Sequence, residues 1–421
     1  MSIRKPEKVL SDFEDSDRFV KSEYTGYNFV NISGTVEHLL LGDSDGMLPE
    51  DVFDGLDLEN VSNVALVFVD AFGFTQWERY GKNLEFFNRL IENGKVTPLT
   101  TIFPSETSAA VTTMNTGLTP QEHGVFSWRI FMEDLDEIVR TLPFTTMDKE
   151  DIEEDFSILY EGETIFDRLR SEDVESTAIL PDHVAGSKYN SYMMENVSQE
   201  GFDNAFDMAL RLRHNIENSE GKNYFHCYTD QVDSALHEFG PGTEEHISQL
   251  ESVSQALQKQ LLDKISQKDA EETLILVIAD HGQADVDPEN ITDLLSFEKL
   301  KGNLKTDNKG EVILPTGGPR TSFLHIKEGK IEEVKSFLEE NLDAKVLKTD
   351  EAISRGLFGA NEVKKRSRLG DIVVIPEEEE NMIWYKHEKH IGYDDYEGHH
   401  GGMSKEEMLV PFAAAKLNDL K

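Results

Sequence analysis

The segment FPSETSAAVTTMNTGLTPQEHG (residues 103–124) places a hydroxyl side chain, Thr107, where an extended stretch gives way to a predicted helix. Threonine is a poor helix former, so its presence there needs a reason. One reason is capping of the helix, and the other is nucleophilic chemistry. The positive end of the helix dipole would also favour a phosphate group at this position. The other polar clusters of the sequence decide between the two interpretations.

Two clusters of ionisable residues end long apolar runs. Asp70 ends VALVFVD, and Asp280 and His281 end TLILVIADH. A lone Asp after a strand is commonly a turn former or a helix cap. An adjacent Asp and His can both bind one metal when the backbone turns sharply, which Gly282 permits. A polar turn is the alternative interpretation of both clusters, but two adjacent groups that are costly to bury count against it for Asp280 and His281.

Two further clusters contain histidine. In DSALHEFGP, Asp233 and His237 are four residues apart, which places both side chains on one face of a helix. They could share an ion or form an ordinary surface ion pair. In GHHGGM, His399 and His400 precede the apolar stretch MLVPF, which is typical of a closing core strand. That position argues against the two histidines being the remnant of a purification tag. They are then either ligands or part of a solvated loop.

Together these clusters offer six carboxylate and imidazole ligands: Asp70, Asp233, His237, Asp280, His281 and His400. Six are enough for two metal sites with three protein ligands each, which leaves coordination open for water, substrate or a nucleophile. Carboxylate and imidazole without thiolate suit zinc, with manganese and iron as the alternatives. Two divalent cations can clamp the attacking and leaving oxygens of a phosphoryl displacement. Thr107 is then the hydroxyl that binds a metal, loses its proton and attacks.

The elements that must position these residues alternate between strands and helices. The runs VALVFV (64–69) and TLILVIA (273–279) are continuous and β-branched, which is typical of parallel strands buried on both faces, with STAIL and NYFHCYT as weaker examples. Apolar residues spaced by threes and fours over 247–261 predict a helix. The pattern predicts an α/β fold with a mostly parallel central sheet and helices on both faces. Its ligand site is expected in the crevice beyond the carboxyl ends of the strands.

Residues 295–365 differ from the rest of the chain. A polar, turn-rich stretch is followed by RTSFLHIK, IEEVKSFLEENL, AKVLKT and EAISRGLFG, which predict strand, helix, strand and helix. We therefore expect a core of residues 1–294 and 366–421 interrupted by a small inserted α/β cap subdomain. The chain is expected to return to the main sheet at LGDIVVIP (369–376).

The composition limits the partners of the protein. Its 421 residues carry 82 Asp and Glu against 41 Lys and Arg, a net charge of −41, spread along a chain that is 38% hydrophobic. Such a surface repels phosphates, so nucleic-acid duplex binding is not expected. Dispersed acid on a folded chain suggests adaptation to high salt, which screens self-repulsion. Complete folding in dilute buffer, measured by circular dichroism across a salt titration, would count against this halophilic hypothesis.

The sequence also predicts a location. Cys227 is the single cysteine, so no internal disulfide can form. The first residues lack the apolar stretch of a signal peptide, and no segment approaches the ~18 apolar residues that span a bilayer. We expect a soluble, cytoplasmic protein without a membrane partner. The sequence does not predict an oligomeric state.

In this order, the clusters resemble those of the alkaline phosphatase superfamily, and in particular its type I phosphodiesterase and nucleotide pyrophosphatase branch. The resemblance covers roughly residues 62–290 and 369–413. Its motifs are the Asp after the first strand, PS-x-T, TG-L-x-P-x-x-HG, D-x-x-x-H-x-x-GP, DHG and a late HG. The matching residues here are Asp70, Pro104, Ser105, Thr107, Thr116, Gly117, Leu118, Pro120, His123, Gly124, Asp233, His237, Gly240, Pro241, Asp280, His281, Gly282, His400 and Gly401.

The resemblance implies how the ligands are divided and what they do. One zinc would take Asp233, His237 and His400. The other zinc would take Asp70, Asp280 and His281 together with the Thr107 oxygen. The phosphoryl group would be transferred to Thr107 and then released by water. His123 would shape its loop rather than bind metal.

One position departs from the family pattern. Where many nucleotide pyrophosphatases have an Asn that hydrogen-bonds a phosphate oxygen, this chain has Trp128. Its indole N–H is a single donor on a bulkier side chain. The neighbouring Arg129 could make bidentate phosphate contacts or be structural. In LPDHVAGSKYN, His183 and Lys188 are further candidates for the pocket.

The sequence therefore predicts a two-metal phosphoric ester hydrolase with a small-molecule substrate, most simply a phosphodiesterase or nucleotide pyrophosphatase. The alternatives are a phosphomonoesterase on the same core and a non-catalytic relative that binds metal or anions. Residues 295–365 and 129–160 are expected to roof the site and to set its selectivity. No residue in them identifies the leaving group.

Overall fold

The computed structural model describes most of the chain: residues 3, 12–13, 16–42, 44, 46–386 and 396–421. Their strands, labelled in chain order, are β1 (Asp12–Phe13), β2 (Ser16–Val20), β3 (Asn63–Val69), β4 (Lys95–Thr100), β5 (Arg129–Met132), β6 (Glu137–Arg140), β7 (Thr145–Thr146), β8 (Glu175–Pro181), β9 (Ser198–Phe202), β10 (Asn223–Thr229), β11 (Thr273–Ile278), β12 (Ala284–Asp285), β13 (Ile291–Asp293), β14 (Thr316–Gly318), β15 (Thr321–Leu324), β16 (Ala344–Lys348), β17 (Ile372–Pro376), β18 (Met382–Trp384), β19 (Gly398–His399) and β20 (Leu409–Lys416).

The α-helices of the same residues are α1 (Asn31–Leu41), α2 (Phe74–Tyr80), α3 (Glu85–Asn93), α4 (Thr107–Thr116), α5 (Pro120–His123), α6 (Ile165–Ser171), α7 (Lys188–Met193), α8 (Ala205–Glu217), α9 (Gln231–Phe239), α10 (Glu244–Ala256), α11 (Gln267–Glu272), α12 (Glu298–Lys301), α13 (Ile331–Asn341), α14 (Thr349–Ser354), α15 (Lys405–Met408) and α16 (Leu417–Leu420). A π-helical segment, Leu257–Leu262, continues α10. Short 3₁₀ segments are Glu50–Phe53, Gly81–Asn83, Phe156–Ile158, Leu294–Ser296 and Arg366–Leu369. None of the described helices has the length and apolar character needed to cross a bilayer.

The centre of the molecule is a seven-stranded sheet with the order β4-β20-β11-β3-β10-β8-β9. Only β20 runs antiparallel to its neighbours, and the other strands are parallel. Alternate residues of β3 point to opposite faces: Val67 joins the apolar cluster of α2, α3, α8 and α10, and Leu66 joins that of α1, α4 and α6. This arrangement confirms the predicted α/β fold and explains the continuous apolar runs, because both faces are covered.

The sheet brings the candidate residues to one edge. Strands β3, β10 and β11 are neighbours in parallel register, so their carboxyl ends lie side by side. Asp70 directly follows β3, Asp280 follows β11 by two positions, and α9 begins just after β10. The antiparallel β20 begins where its neighbours end, so the loop before it reaches the same edge and carries His400 there.

A second sheet of four antiparallel strands, β14-β15-β17-β16, is formed by the predicted inserted region together with β17, which follows it in the chain. The predicted strand, helix, strand and helix of this region are present as β15, α13, β16 and α14. The predicted return to the main sheet at 369–376 is wrong, because β17 pairs with β15 and β16. The boundaries 295 and 365 stay predictions.

The physical reason for this error lies in the two faces of β17. All five residues of the strand are buried. Ile372 and Val374 belong to the small core of the inserted region, whereas Val373 and Ile375 belong to the main core. A strand between two cores has the same continuous apolar sequence as a central strand of a parallel sheet, so the pattern cannot distinguish them.

A buried ion pair connects the second sheet to α15, which follows His400 in the chain. Arg320 lies between β14 and β15, and its guanidinium donates to both carboxylate oxygens of Glu407, at 3.0 Å each. The Glu407 carboxylate also accepts from the backbone N–H groups of Gly402 and Ser404. Burial raises the pKa of Glu407, but the Arg320 charge and these hydrogen bonds hold it below its usual value.

Replacement of Arg320 by methionine is expected to destabilise the protein by about 3–5 kcal/mol, because it leaves a buried carboxylate unpaired. Urea unfolding at neutral pH measures this free energy. The control is Lys309→Met, which removes an exposed pair with Glu137 at 3.8 Å and is expected to cost under about 1 kcal/mol. Equal effects of the two substitutions would contradict the structural role assigned to Arg320.

Candidate active site

Thr107 is the first residue of α4, and Glu106 before it occupies the N-cap position in an extended conformation. The Thr107 side chain is partly exposed, and its Oγ1 lies 3.1 Å from Nε2 of His281. The hydroxyl is therefore placed against the ionisable cluster rather than in the cap position. Thr107 and Ser108, in the amino-terminal turn of α4, line a cavity together with Asp233 and His400, so the positive end of the helix borders the cluster.

The first group of possible ligands comprises Asp70, Asp280 and His281, with one donor atom each within 4.8 Å of the others. Nε2 of His281 is 3.6 Å from Oδ1 of Asp70 and 3.4 Å from Oδ2 of Asp280. Each carboxylate is held through its other oxygen. Asp280 Oδ1 accepts from the backbone N–H groups of Ala71 and His281, and Asp70 Oδ2 accepts from the Tyr228 hydroxyl.

The surroundings of the two remaining carboxylate oxygens of this group show whether a cation would fit. Asp70 Oδ1 and Asp280 Oδ2 are buried and accept no hydrogen bond. Burial raises the pKa of both carboxyls, and that of Asp70 is raised further by the charges of Asp280 and Asp233. Buried carboxylates need a compensating charge. A divalent cation between these oxygens would supply it, so the residues fit a metal ion.

The second group comprises Asp233, His281 and His400, again within 4.8 Å. Asp233 and His237 lie one turn apart on α9, as the spacing predicts, with Oδ1 of Asp233 3.4 Å from Nε2 of His237. The same Oδ1 is 3.9 Å from Nε2 of His400. His281 belongs to both groups, and its ring stacks on that of His400 with centroids 3.7 Å apart.

The imidazoles are oriented by the backbone. Nδ1–H of His237 donates to the carbonyl of Gly398, that of His281 to Gly282, and that of His400 to Ser105, at 2.8–3.0 Å. A carbonyl can only accept, so Nδ1 of each ring carries a proton and Nε2 faces the cluster. Burial and the neighbouring His281 and His237 lower the pKa of His400 well below its usual value. Neutral rings in this tautomer are what metal ligation requires.

The structure thus brings together all seven residues that the sequence selected as metal ligands or nucleophile. The division of these ligands between two ions stays a prediction. His399 is buried beside His237, with ring centroids 5.3 Å apart, which excludes the solvated alternative. His123, the last residue of α5, is away from this cluster: Nδ1 accepts from the Val125 N–H, and Nε2 lies 3.0 Å from the Thr113 hydroxyl of α4.

Several neighbours of the cluster were not selected from the sequence. Gln283 donates to Oδ1 of Asp233 at 2.7 Å, and the Tyr396 ring stacks on His237. Tyr228 orients Asp70, as described above. The sequence feature that could have identified Tyr228 is a hydroxyl-bearing ring near the carboxyl end of an otherwise apolar strand. Glu106 lies directly before Thr107 and is buried, which its charge alone did not predict.

Two cavities meet at Thr107. The larger, of about 410 Å³, is lined by Thr107, Asp70, Asp233 and a wall of apolar and aromatic side chains: Val111, Trp128, Leu142, Pro143, Leu180, Val184, Tyr189, Met194 and Tyr228. The smaller, of about 200 Å³, includes His237, His400 and Gly318 in its wall. Arg140, Leu142 and Pro143 line the first cavity, and Gly317 and Gly318 line the second. That residues 129–160 and 295–365 set the selectivity stays a prediction.

The residues that the sequence suggested as substrate contacts differ in whether they line these cavities. Trp128 lines both cavities, whereas Arg129 lines neither and lies buried with its guanidinium over the Trp384 ring. His183 lines the larger cavity and pairs with Asp230 at 2.8 Å. Lys188 is not in either lining and donates to the backbone carbonyl of Ile152. Contacts of these side chains with a substrate stay predictions.

An α/β sheet with a hydroxyl nucleophile candidate beside two carboxylate–imidazole groups is the arrangement expected of a phosphoryl hydrolase, and the family match supports this class. The family type I phosphodiesterase/nucleotide pyrophosphatase matches residues 64–403. The chain belongs to this family of hydrolases, and the resemblance stated from the motifs is confirmed. A search of curated proteins found no match.

Solved structures show the same fold. Murine ectonucleotide pyrophosphatase/phosphodiesterase 5, as an inactive threonine-to-alanine variant in complex with AMP, is 18% identical, with 84% of this chain and 88% of that chain covered and a TM-score of 0.62. The human protein of the same name is 19% identical, with 84% and 87% covered and a TM-score of 0.63. Phosphonoacetate hydrolase from Sinorhizobium meliloti 1021, in complex with phosphonoformate, is 17% identical, with 86% and 94% covered and a TM-score of 0.62.

Proposed function

We propose that this protein hydrolyses phosphoric diesters or nucleotide pyrophosphate bonds through Thr107, with two divalent metal ions. The observation that carries the proposal is the position of the Thr107 hydroxyl, 3.1 Å from His281, the residue common to both ligand groups. The inactive threonine-to-alanine variant among the structural neighbours supports the same role for a threonine.

The metal sites follow from the side chains described above. Asp70, Asp280 and His281 would hold one ion with the Thr107 oxygen, and Asp233, His237 and His400 would hold the other. Bound ions would acidify the threonine hydroxyl and neutralise charge on the phosphoryl oxygens. Zinc is the ion that we propose, because the ligands are carboxylate and imidazole without thiolate.

The reaction then uses two displacements at phosphorus. The Thr107 oxygen attacks phosphorus and the bond from phosphorus to the leaving oxygen breaks. The leaving group, an alcohol for a diester or a phosphate for a pyrophosphate bond, takes up the proton that the Thr107 hydroxyl loses. The phosphoryl group stays on Thr107 until water attacks and restores the hydroxyl. The backbone N–H groups at the start of α4 would donate to the phosphoryl oxygens. Tyr228 and Gln283 keep their carboxylates in position throughout.

The larger cavity favours an ester with an organic leaving group. About 410 Å³ of mostly apolar and aromatic wall next to Thr107 is within the usual range of small-molecule pockets. Inorganic phosphate or a very small ester would leave most of it unused. The complex of a neighbour with AMP is consistent with an organic group in this position.

Turnover of bis-p-nitrophenyl phosphate and of p-nitrophenyl phosphate tests this function. With zinc and high salt, we expect kcat/KM for the diester to exceed that for the monoester by about tenfold or more. A preference for the monoester would identify the phosphomonoesterase alternative. Metal binding without turnover of either ester would identify a non-catalytic relative and contradict the proposal.

A further inference from the structure

A buried glutamate, Glu106, stands directly beside the proposed nucleophile. It directly precedes Thr107, is only 5% exposed, and lines the smaller cavity together with Thr107, Asp233 and His400. A negative charge in this wall faces the space into which a phosphoryl group on Thr107 would project. Like charges in a site of low dielectric repel strongly.

The two carboxylate oxygens of Glu106 have different surroundings. Oε2 accepts two hydrogen bonds, from the Ser127 hydroxyl at 2.6 Å and from the Trp128 backbone N–H at 2.8 Å. Burial raises the pKa of Glu106, whereas these two hydrogen bonds and the Arg129 charge lower it and favour the ionised carboxylate. The hydrogen bonds fix the side chain and leave Oε1 for the cavity wall.

The chain makes room for Oε1 with glycines. A Cβ atom at Gly318 would lie 2.8 Å from Oε1, and one at Gly401 would lie 3.2 Å from it. Gly318 belongs to the cavity wall, and Gly401 follows His400. The carboxylate is therefore packed into the active-site wall on both sides rather than directed to solvent.

We propose that Glu106 is a specificity residue that disfavours dianionic phosphomonoesters and so selects monoanionic phosphodiesters at Thr107. The inference rests on the proposed function. A phosphomonoester carries nearly two negative charges above its second pKa of about 6, whereas a diester carries one. The additional charge meets the Glu106 carboxylate in the ground state and in the transition state. Discrimination thus comes from repulsion of the wrong substrate.

Glu106→Gln separates charge from structure. The amide oxygen can accept both hydrogen bonds of Oε2, while the negative charge is lost. The matched control is Ser127→Ala, which removes one of these hydrogen bonds and keeps the charge. We measure kcat/KM for bis-p-nitrophenyl phosphate and p-nitrophenyl phosphate, the inhibition constant of inorganic phosphate, and zinc content.

For Glu106→Gln we expect the ratio of diester to monoester kcat/KM to fall by about tenfold and phosphate to inhibit more tightly, with zinc content unchanged. For Ser127→Ala the ratio should stay within about twofold of the native value. An unchanged ratio in Glu106→Gln, or an equal loss of both activities, would overturn the proposal and leave Glu106 as an anchor of the Trp128 loop. Loss of zinc in Glu106→Gln would also overturn it and assign the residue to metal binding.

Failure of the proposed function gives a different result. In that case the native protein itself shows no turnover that depends on Thr107, whatever residue stands at position 106. A native protein with Thr107-dependent turnover but no charge effect at position 106 contradicts only the role of Glu106.

Discussion

Replacement of Thr107 by valine is expected to lower kcat for phosphodiesters by about 10⁴-fold or more, because the substitution removes the attacking oxygen. Valine keeps the branched shape of threonine at the first position of α4, so the loss cannot come from a change in packing. Zinc content should remain near that of the native protein, since most of the proposed ligands are retained. Steady-state kinetics and elemental analysis measure the two quantities.

Thr107→Ser is the matched control for this substitution. It keeps the hydroxyl and removes only a methyl group, so we expect easily measurable turnover. Near-native activity in Thr107→Val would show that another group is the nucleophile. Equal inactivation by serine and valine would show that the methyl group, rather than the oxygen, is required.

The second large effect is expected at Asp280. Asparagine can keep the hydrogen bonds from Ala71 and His281 to Oδ1, but it removes a buried negative charge whose Oδ2 has no hydrogen-bond donor. With zinc present, Asp280→Asn should lower kcat by about 10³-fold and lower Tm, because a ligand charge is lost. After chelation the same substitution should leave Tm unchanged or raise it, since repulsion from Asp70 is relieved.

This reversal of sign is the informative part of the result. Thermal unfolding of both proteins, with zinc and with a chelator, measures it. Asp285→Asn, at an exposed carboxylate in β12, is the control and should change Tm in neither condition. A destabilisation of Asp280→Asn that is the same with and without zinc would mean that Asp280 is structural, in contradiction to the metal site.

The sequence predicted the main sheet well, for a local reason. Strands β3, β10 and β11 are buried on both faces, so their apolar character is continuous and visible without knowledge of the partners. The placement of β17 was not predictable in this way. Its pairing with β15 and β16 depends on contacts between distant parts of the chain, which periodicity does not record.

The candidate site shows the same limit. Asp70, Asp280 and His281 stand directly after long apolar strands, and parallel strands bring such positions to one edge, so their convergence followed from the pattern. Arg129 was selected for its charge, yet the side chain packs over Trp384 instead of lining a cavity. The roles of Tyr228 and Glu106 depend on which donor or glycine lies opposite, and only the folded structure shows that.

The central claim is that two metal ions lie beside Thr107, and anomalous X-ray scattering from crystals of the zinc-loaded protein tests it most directly. We expect two zinc peaks in the pocket, one beside Asp70 and Asp280 and the other beside Asp233 and His400. Crystals grown at saturating zinc that show no peak between these side chains, or peaks only at the acidic surface, would contradict the account.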